Sequence, residues 1–260
     1  MKKVIYLYKP VGLTPLQIIT IFREQYPEYA QITLGYAGRL DPMADGLLLV
    51  LVGDENKKRK IYEDLPKEYE CDVLFGLETD TYDVLGKIIN AQRRDAIYYV
   101  STEHIKQTLP TFLGKQTQPY PPYSSQPVNG KPLYWWARNN KLADIKIPTK
   151  NIQIYSIELL SQKNISTTEL QKTIANRIAQ VTGDFRQKEI MELWNNFFQE
   201  NNNQIFPVFR FRISCSSGTY IRAFAHNLGK QLQTNAIALG ITRTKVGDYN
   251  LQDITKLDIL

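Results

Sequence analysis

Residues 38–52 read GRLDPMADGLLLVLV, a polar loop that runs directly into an apolar segment. Glycine and proline punctuate the region from Gly35 to Gly46, which lacks the periodicity of a helix. The following residues, Leu47 to Val52, are apolar at every position, as is typical of a strand that is covered on both faces. The sequence therefore predicts a carboxylate-bearing loop that is anchored at the end of a core strand.

Outward from this strand, the segments Lys67 to Phe75 and Val208 to Cys215 alternate between apolar and polar residues. Such alternation predicts strands with one wet face, which favours antiparallel pairing. Apolar periodicity and turn signals predict further strands at 4–8 and 152–159 and helices at 54–65, 102–113, 168–181 and 189–198.

A helix is also predicted to begin at Thr14 and Pro15, a capping hydroxyl followed by proline at the first helical position. Its buried face is expected to contain Leu16, Ile19 and Phe22. Strands and helices are interspersed without a regular strand-helix-strand rhythm. The predicted fold class is therefore α+β, with helices flanking a central mixed, largely antiparallel sheet.

The composition bounds the class of protein. The 260 residues are 43% hydrophobic and 22% charged, an ordinary globular mixture, and they carry a net charge of +6. This basic surplus fits a polyanionic partner and fits a merely soluble basic protein equally well.

Two cysteines and two histidines are too few for a disulfide framework or a zinc cluster, so we expect no metal. The first residues lack a signal-peptide pattern and the apolar runs are short, so we expect a cytoplasmic protein with no membrane partner.

Two loops carry paired carboxylates, at Gly38 to Gly46 and at Thr79 to Asp83. Aspartates in such loops usually cap turns through their side chains, and catalysis and metal ligation are the alternatives. Neither loop has the ligand spacing of a calcium loop, so metal ligation is the weakest of the three interpretations. A third segment, Ser214 to Arg222, joins a strand to a helix, and by itself it makes Arg222 an ordinary surface cation.

Taken together and in this order, the segments resemble the bacterial tRNA pseudouridine-55 synthases of the TruB-like branch. More broadly, they are similar to the pseudouridine synthases that include guide-RNA-dependent enzymes. The match extends over most of the chain, and its central block keeps the pattern Gly-x-Leu-Asp-Pro-x-Ala-x-Gly from Gly38 onward. The other blocks are Tyr8–Thr14, Lys67–Tyr69 with Gly76 and Thr79–Thr81, Pro121–Arg138, and Gly218–Arg222 with Leu228 and Gly229.

The resemblance implies an isomerase that converts uridine 55 in the T loop of tRNA to pseudouridine, on a pseudouridine synthase fold with its cleft across the sheet. The reaction needs no redox step or group donor, so a carboxylate nucleophile suffices and no cofactor is expected. The resemblance places that nucleophile at Asp41. Arg222 is then the guanidinium that keeps Asp41 ionised, and Tyr69 lies against the target base and helps to remove its C5 proton. Asp80 and Asp83 are expected to have structural, hydrogen-bonding roles.

The target uridine is stacked in a folded tRNA arm, so the enzyme must take it out of the stack. The resemblance implies contacts to the base or the surrounding RNA from Lys9, Tyr36, Arg39, Tyr220 and Ile241. Basic and aromatic stretches at 57–60, 131–138 and 243–245 are candidate phosphate contacts, although the first is equally compatible with a solvated helix face. The expected partner is the T arm of tRNA, without guide RNA, and the expected state is a monomer.

The chain departs from the family pattern at several positions. Tyr36 and Ala37 stand where the family usually has His and Thr, and Ser217 stands where it commonly has Lys. The His is associated with engagement of the flipped region, and the Lys is a possible phosphate contact. A helical insertion at about 160–206 either packs on the core or adds an RNA-binding element, and it contains an apolar stripe of Trp194, Phe197 and Phe198.

We expect residues 1–250 to form the catalytic domain. Residues 251–260 form a tail too short for the C-terminal RNA-binding (PUA) barrel that many family members append. Two alternatives stay open: a related pseudouridine synthase with another RNA target or a guide-dependent mode, and a non-catalytic RNA-binding or tRNA-folding protein of the same fold. The presence of Asp41, Tyr69 and Arg222 favours catalysis.

Overall fold

A nine-stranded sheet is the centre of the fold in the computed structural model, which describes residues 2–91 and 100–254. Its strands are β1 (Val4–Lys9), β2 (Leu34–Ala37), β3 (Ala44–Val52), β4 (Lys67–Phe75), β7 (Gly114–Pro119), β10 (Thr149–Ser166), β11 (Ile205–Cys215), β12 (Ala236–Val246) and β13 (Tyr249–Asn250). Two short hairpins lie outside this sheet, β5 (Leu77–Thr79) with β6 (Ile88–Ala91), and β8 (Pro127–Val128) with β9 (Lys131–Pro132).

The strand order is β1, β3, β12, β4, β11, β10 and β7, with β2 added to β3 and β13 added to β12. Within the described residues, β3 and β12 pair in parallel, with Ile241 opposite Ala44, and the other ladders of this sheet are antiparallel. The predicted α+β class with a mixed, largely antiparallel sheet is therefore confirmed. The parallel pair places the start of β3, and the polar loop before it, beside the middle of β12 rather than at a sheet edge.

The helices are α1 (Pro15–Gln25), α2 (Arg59–Asp64), α3 (Thr102–Thr108), α4 (Leu133–Arg138), α5 (Thr167–Ala179), α6 (Gln187–Glu200) and α7 (Ile221–Gln231). Thr14 caps α1 through a capping box, as its hydroxyl predicts. The prediction for Leu16 is wrong, because this side chain is 65% exposed. The buried stripe is Pro15, Ile18, Ile19 and Phe22, which follows the i, i+3, i+4, i+7 spacing from Pro15.

Strand β4 confirms the alternation in its sequence. Tyr69, Cys71, Val73 and Phe75 face the main core, whereas Glu70 and Asp72 lie on the opposite face near arginines of β11. One face of this part of the sheet is therefore apolar and the other is covered by ion pairs. Both cysteines, Cys71 and Cys215, are buried and free.

Several parts of the secondary structure differ from the sequence-based expectation. The predicted loop 35–46 contains strand residues at both ends, because β2 ends at Ala37 and β3 begins at Ala44. The predicted helix 54–65 is divided into a 3-10 segment, Gly53–Lys58, and α2. Strand β12 was not predicted, since its alanines and glycine have weak strand propensity and its conformation depends on three neighbouring strands.

The insertion packs on the core. Helices α5 and α6 cover the end of the sheet, where Trp194 is fully buried and Phe197 and Phe198 are nearly so. They share a cluster with Leu74 of β4 and Ile237 of β12. This arrangement confirms the core-packing interpretation of the insertion. Among the residues that the structure describes, no helix has the length and apolar character needed to cross a membrane.

Candidate active site

Three hydrogen bonds hold the backbone of the loop Gly38–Met43, between β2 and β3. The amide of Gly12 donates to the carbonyl of Pro42 at 2.8 Å, and Ala44 N donates to Asp41 O at 3.0 Å. From the insertion, Arg177 Nη2 donates to the carbonyl of Met43 at 2.8 Å. These bonds hold the backbone of Asp41 in one position relative to the sheet.

Arg243 of β12 anchors the same loop from beneath. Its Nε donates to Leu47 O at 2.8 Å, and Nη1 and Nη2 donate to the carbonyls of Arg39 and Gly38, each at 3.2 Å. The side chain is buried, which lowers the pKa of the Arg243 guanidinium, and it interacts with Tyr69. The expectation that this residue contacts phosphate is wrong. Arg243 lies on the same face of β12 as Ile241, and this face became apparent only with the strand itself.

Arg222 and Asp41 form the central ion pair. Arg222 Nε lies 2.7 Å from Asp41 Oδ2, and the side chains are 4% and 40% exposed, respectively. A surface cation was expected from the local sequence alone, but the first turn of α7 points Arg222 into the protein. Burial by itself would lower the pKa of Arg222, but the carboxylates of Asp41 and Asp83 outweigh it, and the pKa is raised.

Asp83 is the second carboxylate on Arg222, with Oδ2 at 3.5 Å from Nε. Its Oδ1 accepts hydrogen bonds from the Thr81 hydroxyl at 2.8 Å and from Leu85 N at 2.9 Å. Burial raises the pKa of Asp83, and the Arg222 guanidinium opposes this effect. The hydrogen-bonding role predicted for Asp83 is confirmed, and its direct contact with Arg222 was missed by sequence reasoning.

Two cavities meet at Asp41. The smaller, of about 360 Å³, is lined by Asp83, Arg222, Tyr123 and Phe185 among others. The larger, of about 690 Å³, is lined by most of the residues that the resemblance assigned to the site, namely Tyr36, Arg39, Tyr69, Tyr220 and Ile241. The structure thus brings these residues and the Asp41 carboxylate to one cleft across the sheet.

Two tyrosines that line the larger cavity, Tyr69 and Tyr220, are not ionised near neutral pH. Burial raises the pKa of Tyr69 to about 12. Burial also raises the pKa of Tyr220 to about 12, and its ring packs edge-on against Tyr120 at 5.6 Å. Both side chains are therefore neutral, apolar-bodied surfaces on which a planar base can stack.

Lys9 does not reach the cleft surface, which corrects the expectation of an RNA contact. The side chain is fully buried, and Nζ donates to the carbonyls of Pro10 at 2.9 Å and Leu13 at 2.8 Å. Burial lowers the pKa of Lys9 to about 8. Lys9 therefore holds the turn whose Gly12 contacts the Asp41 loop.

The rim of the cleft is basic. The Arg59 guanidinium lies 5.3 Å over the Tyr36 ring, and Arg39 Nη1 donates to Ser125 Oγ at 2.7 Å. Arg59 and Lys60 line the larger cavity while each pairs with an acidic residue four positions along the chain. Within residues 2–91 and 100–254, there is no group of three or more His, Cys, Asp or Glu side chains placed to hold a metal ion.

Chains of two solved complexes have the same fold. Chains of a Cbf5–Nop10–Gar1 complex and of an H/ACA RNP bound to a substrate RNA containing 2'-deoxyuridine superpose with TM-scores of 0.55 and 0.53, at 19% and 18% identity. Each superposition covers 95% of this chain. It covers 49% of the first solved chain and 48% of the second, so this chain spans about half of their length. At this identity the likeness establishes the fold alone.

The sequence comparison is more specific. The profile of the TruB family pseudouridylate synthase, N-terminal domain, matches residues 28–177. The chain belongs to the TruB family of pseudouridylate synthases. It is similar to tRNA pseudouridine synthase B of Caldicellulosiruptor saccharolyticus, at 29% identity over 100% of this chain and 72% of the relative. It is also similar to the protein of that name from Borreliella afzelii, at 33% identity over 85% of this chain and 62% of the relative.

Proposed function

We propose that this protein is a tRNA pseudouridine synthase that isomerises uridine 55 in the T loop. The observation that carries the proposal is the Asp41 carboxylate, held at 2.7 Å by the buried Arg222 at the junction of two cavities. Family membership and the relatives named tRNA pseudouridine synthase B support the same reaction.

The chemistry fits a carboxylate without a cofactor. The bond between N1 of the uracil and C1' of the ribose breaks, the base turns, and a bond forms between C5 and C1'. The proton on C5 is lost and N1 gains one, so the atoms balance and no electron acceptor is needed. Asp41 is the nucleophile, Arg222 pairs with its carboxylate and holds it in place, and Tyr69 contacts the base and assists removal of the C5 proton.

The cleft also fits the handling of a flipped nucleotide. Tyr36, Tyr69, Tyr220 and Ile241 give the larger cavity apolar and aromatic walls, and Arg39 lies at its rim. Aromatic walls bind an unstacked base, and peripheral cations bind the adjacent phosphates. The partner in this proposal is the T arm of tRNA, bound in the cytoplasm by a monomer without guide RNA. Residues 1–250 form the catalytic unit.

The test is site-resolved mapping of pseudouridine on a T-arm transcript incubated with the purified protein, without added metal or nucleotide. Asp41→Asn is the inactive candidate, and Asp54→Asn, on an aspartate paired with Lys57 at the surface, is the matched control. Conversion at the T-loop uridine is expected with the wild type and the control, but not with Asp41→Asn.

Two results would count against the proposal. Full conversion by Asp41→Asn would reject this residue as the nucleophile. No conversion by the folded wild type, despite tight binding of the transcript, would favour another RNA target or a non-catalytic RNA-binding role.

A further inference from the structure

Residues 181–187, which comprise the turn after α5 and the first residue of α6, form the tip of the insertion and reach the smaller cavity. Asp184, Phe185 and Arg186 line that cavity together with Asp41 and Arg222. Val181 and Phe185 of this segment pack against the core, whereas the side chain of Arg186 makes its contacts at the smaller cavity. We refer to residues 181–187 as the insertion tip.

The insertion tip has a fixed conformation. Arg186 has left-handed backbone angles, φ 65° and ψ 24°, which are uncommon for a residue other than glycine. The Gln187 side chain accepts from Phe185 N at 2.9 Å and donates to the carbonyls of Val181 at 3.0 Å and Gly183 at 2.7 Å. Backbone strain of this kind persists where the surroundings hold it, and it is concentrated at functional sites.

The guanidinium of Arg186 joins two segments that are distant in sequence. Nη1 and Nη2 contact the two carboxylate oxygens of Asp80 at 2.7 and 3.2 Å, and Nη1 also donates to the Tyr123 hydroxyl at 2.7 Å. The same guanidinium lies 4.2 Å over the ring of Tyr123. The Arg186 and Asp80 side chains are only 14% and 20% exposed, so water screens this bidentate pair much less than a surface pair.

Both partners of Arg186 are also connected to Arg222. The carbonyl of Tyr123 accepts from Arg222 Nη2 at 3.4 Å. Asp80 immediately precedes Thr81, whose carbonyl accepts from Arg222 Nη1. Tyr123 and Thr81 hold the Arg222 guanidinium that faces Asp41. Arg186 fixes the side chain of Tyr123 and that of Asp80, the neighbour of Thr81.

We propose that Arg186 is a positioning residue for the isomerisation, acting through Asp80 and Tyr123 on the geometry of the Arg222–Asp41 pair. This inference rests on the proposed function, and it gives the insertion a role within the active site. Because Arg186 acts on the orientation of the reacting carboxylate, its removal slows the chemical step more than it weakens RNA binding.

The experiment compares Arg186→Gln and Arg186→Lys with the wild-type chain of 260 residues. Single-turnover conversion of the T-arm transcript at saturating protein measures the chemical step, and titration of the labelled transcript measures affinity. We expect Arg186→Gln to slow the single-turnover rate by about tenfold while Kd changes by less than about twofold. Arg186→Lys keeps the charge but not the bidentate contact, and it should recover part of the rate.

Lys87→Gln is the matched control for a merely structural effect. Lys87 pairs with Glu189 of α6, so it joins the insertion to the same region as the Arg186–Asp80 pair, outside the smaller cavity. Its rate should equal that of the wild type, even if its Tm falls as far as that of Arg186→Gln. The double variant Asp80→Asn/Arg186→Gln should be no slower than the slower of the two single variants. The reason is that both substitutions remove the same Arg186–Asp80 pair.

Three results would overturn the inference: a wild-type rate in Arg186→Gln, a loss confined to RNA affinity, or an equal loss of rate in Lys87→Gln. Absence of conversion by the wild type would overturn the proposed function, and this inference with it. Normal conversion by the wild type together with an equally fast Arg186→Gln would overturn this inference alone.

Discussion

Two arginine–carboxylate pairs in this protein have nearly the same contact distance and different surroundings. In the site, Arg222 Nε lies 2.7 Å from Asp41 Oδ2, and the arginine side chain is 4% exposed. On the outer face of the sheet, Arg210 Nη2 lies 2.8 Å from Glu70 Oε2, and the arginine side chain is 43% exposed. Water reaches the Arg210 guanidinium and is largely excluded from the Arg222 guanidinium, so only the arginine of the first pair is held strongly in one geometry.

The number of fixed acceptors also separates the two regions. Besides Asp41, Arg222 contacts Asp83 and the backbone carbonyls of Thr81 and Tyr123. Arg210 contacts the side chain of Glu70 and, at 3.9 Å, that of Asp72, both of which can move with it. A guanidinium bound by backbone carbonyls has one orientation, and that orientation determines where the reactive carboxylate points.

The largest expected effect comes from neutralising one carboxylate in each region. Asp41→Asn should reduce the rate of pseudouridine formation by at least about 10³-fold, because the amide is not a nucleophile. Glu70→Gln should leave the rate within about twofold of the wild type, since it lies outside the cleft. Single-turnover mapping with the T-arm transcript measures both rates. Equal losses in the two variants would remove the distinction between the regions.

The next effect concerns stability. Arg222→Gln should lower the free energy of unfolding by about 3 kcal/mol, because the buried Asp83 carboxylate loses its cation. Arg210→Gln should lower it by at most about 1 kcal/mol, as is usual for exposed pairs. Urea unfolding of both variants at the same pH and salt concentration measures the difference. A cost for Arg210→Gln as large as that for Arg222→Gln would contradict the comparison.

A smaller effect is expected from the anchor of the loop. Arg243→Lys keeps a cation but cannot bind the carbonyls of Gly38, Arg39 and Leu47 together. The free energy of unfolding should therefore fall by about 1–2 kcal/mol. The single-turnover rate should fall as well, because the Asp41 loop loses two of its supports. Unchanged hydrogen-exchange protection of the loop amides in this variant would show that Arg243 does not hold it.

The last prediction concerns a pH dependence of folding. Burial lowers the pKa of Lys9 from its ordinary 10.5 to about 8, so between these values the unfolded chain binds a proton that the folded chain does not. Stability from this group therefore rises with pH between about 8 and 10.5, by up to about 1.4 kcal/mol per pH unit.

Lys9→Met should flatten this rise when the free energy of unfolding is measured between pH 8 and 9.5. Lys57→Met is the control, because the Lys57 ammonium is exposed. If the wild type and Lys9→Met show the same slope, Lys9 is not the buried cation that the structure indicates.

Local patterns predicted the elements that depend on nearby residues. The alternation in β4, the capping hydroxyl of Thr14 and the apolar stripe of α6 are each readable within a few residues, and each agrees with the structure. Neither strand β12 nor the burial of the Arg243 side chain could be predicted in this way. Their conformation depends on β3 and β4, which are distant in the chain.

The identities of Asp41, Tyr69 and Arg222, and the order of the blocks that contain them, are properties of the sequence by itself. They were sufficient to indicate the family and the chemistry. The contact between Asp41 and Arg222 joins residues 181 positions apart, and it exists only because β3 pairs in parallel with β12 and α7 turns its first residues inward. Sheet register, burial and the reach of the insertion tip to Asp80 are decided by packing between distant segments, so only the tertiary structure determines them.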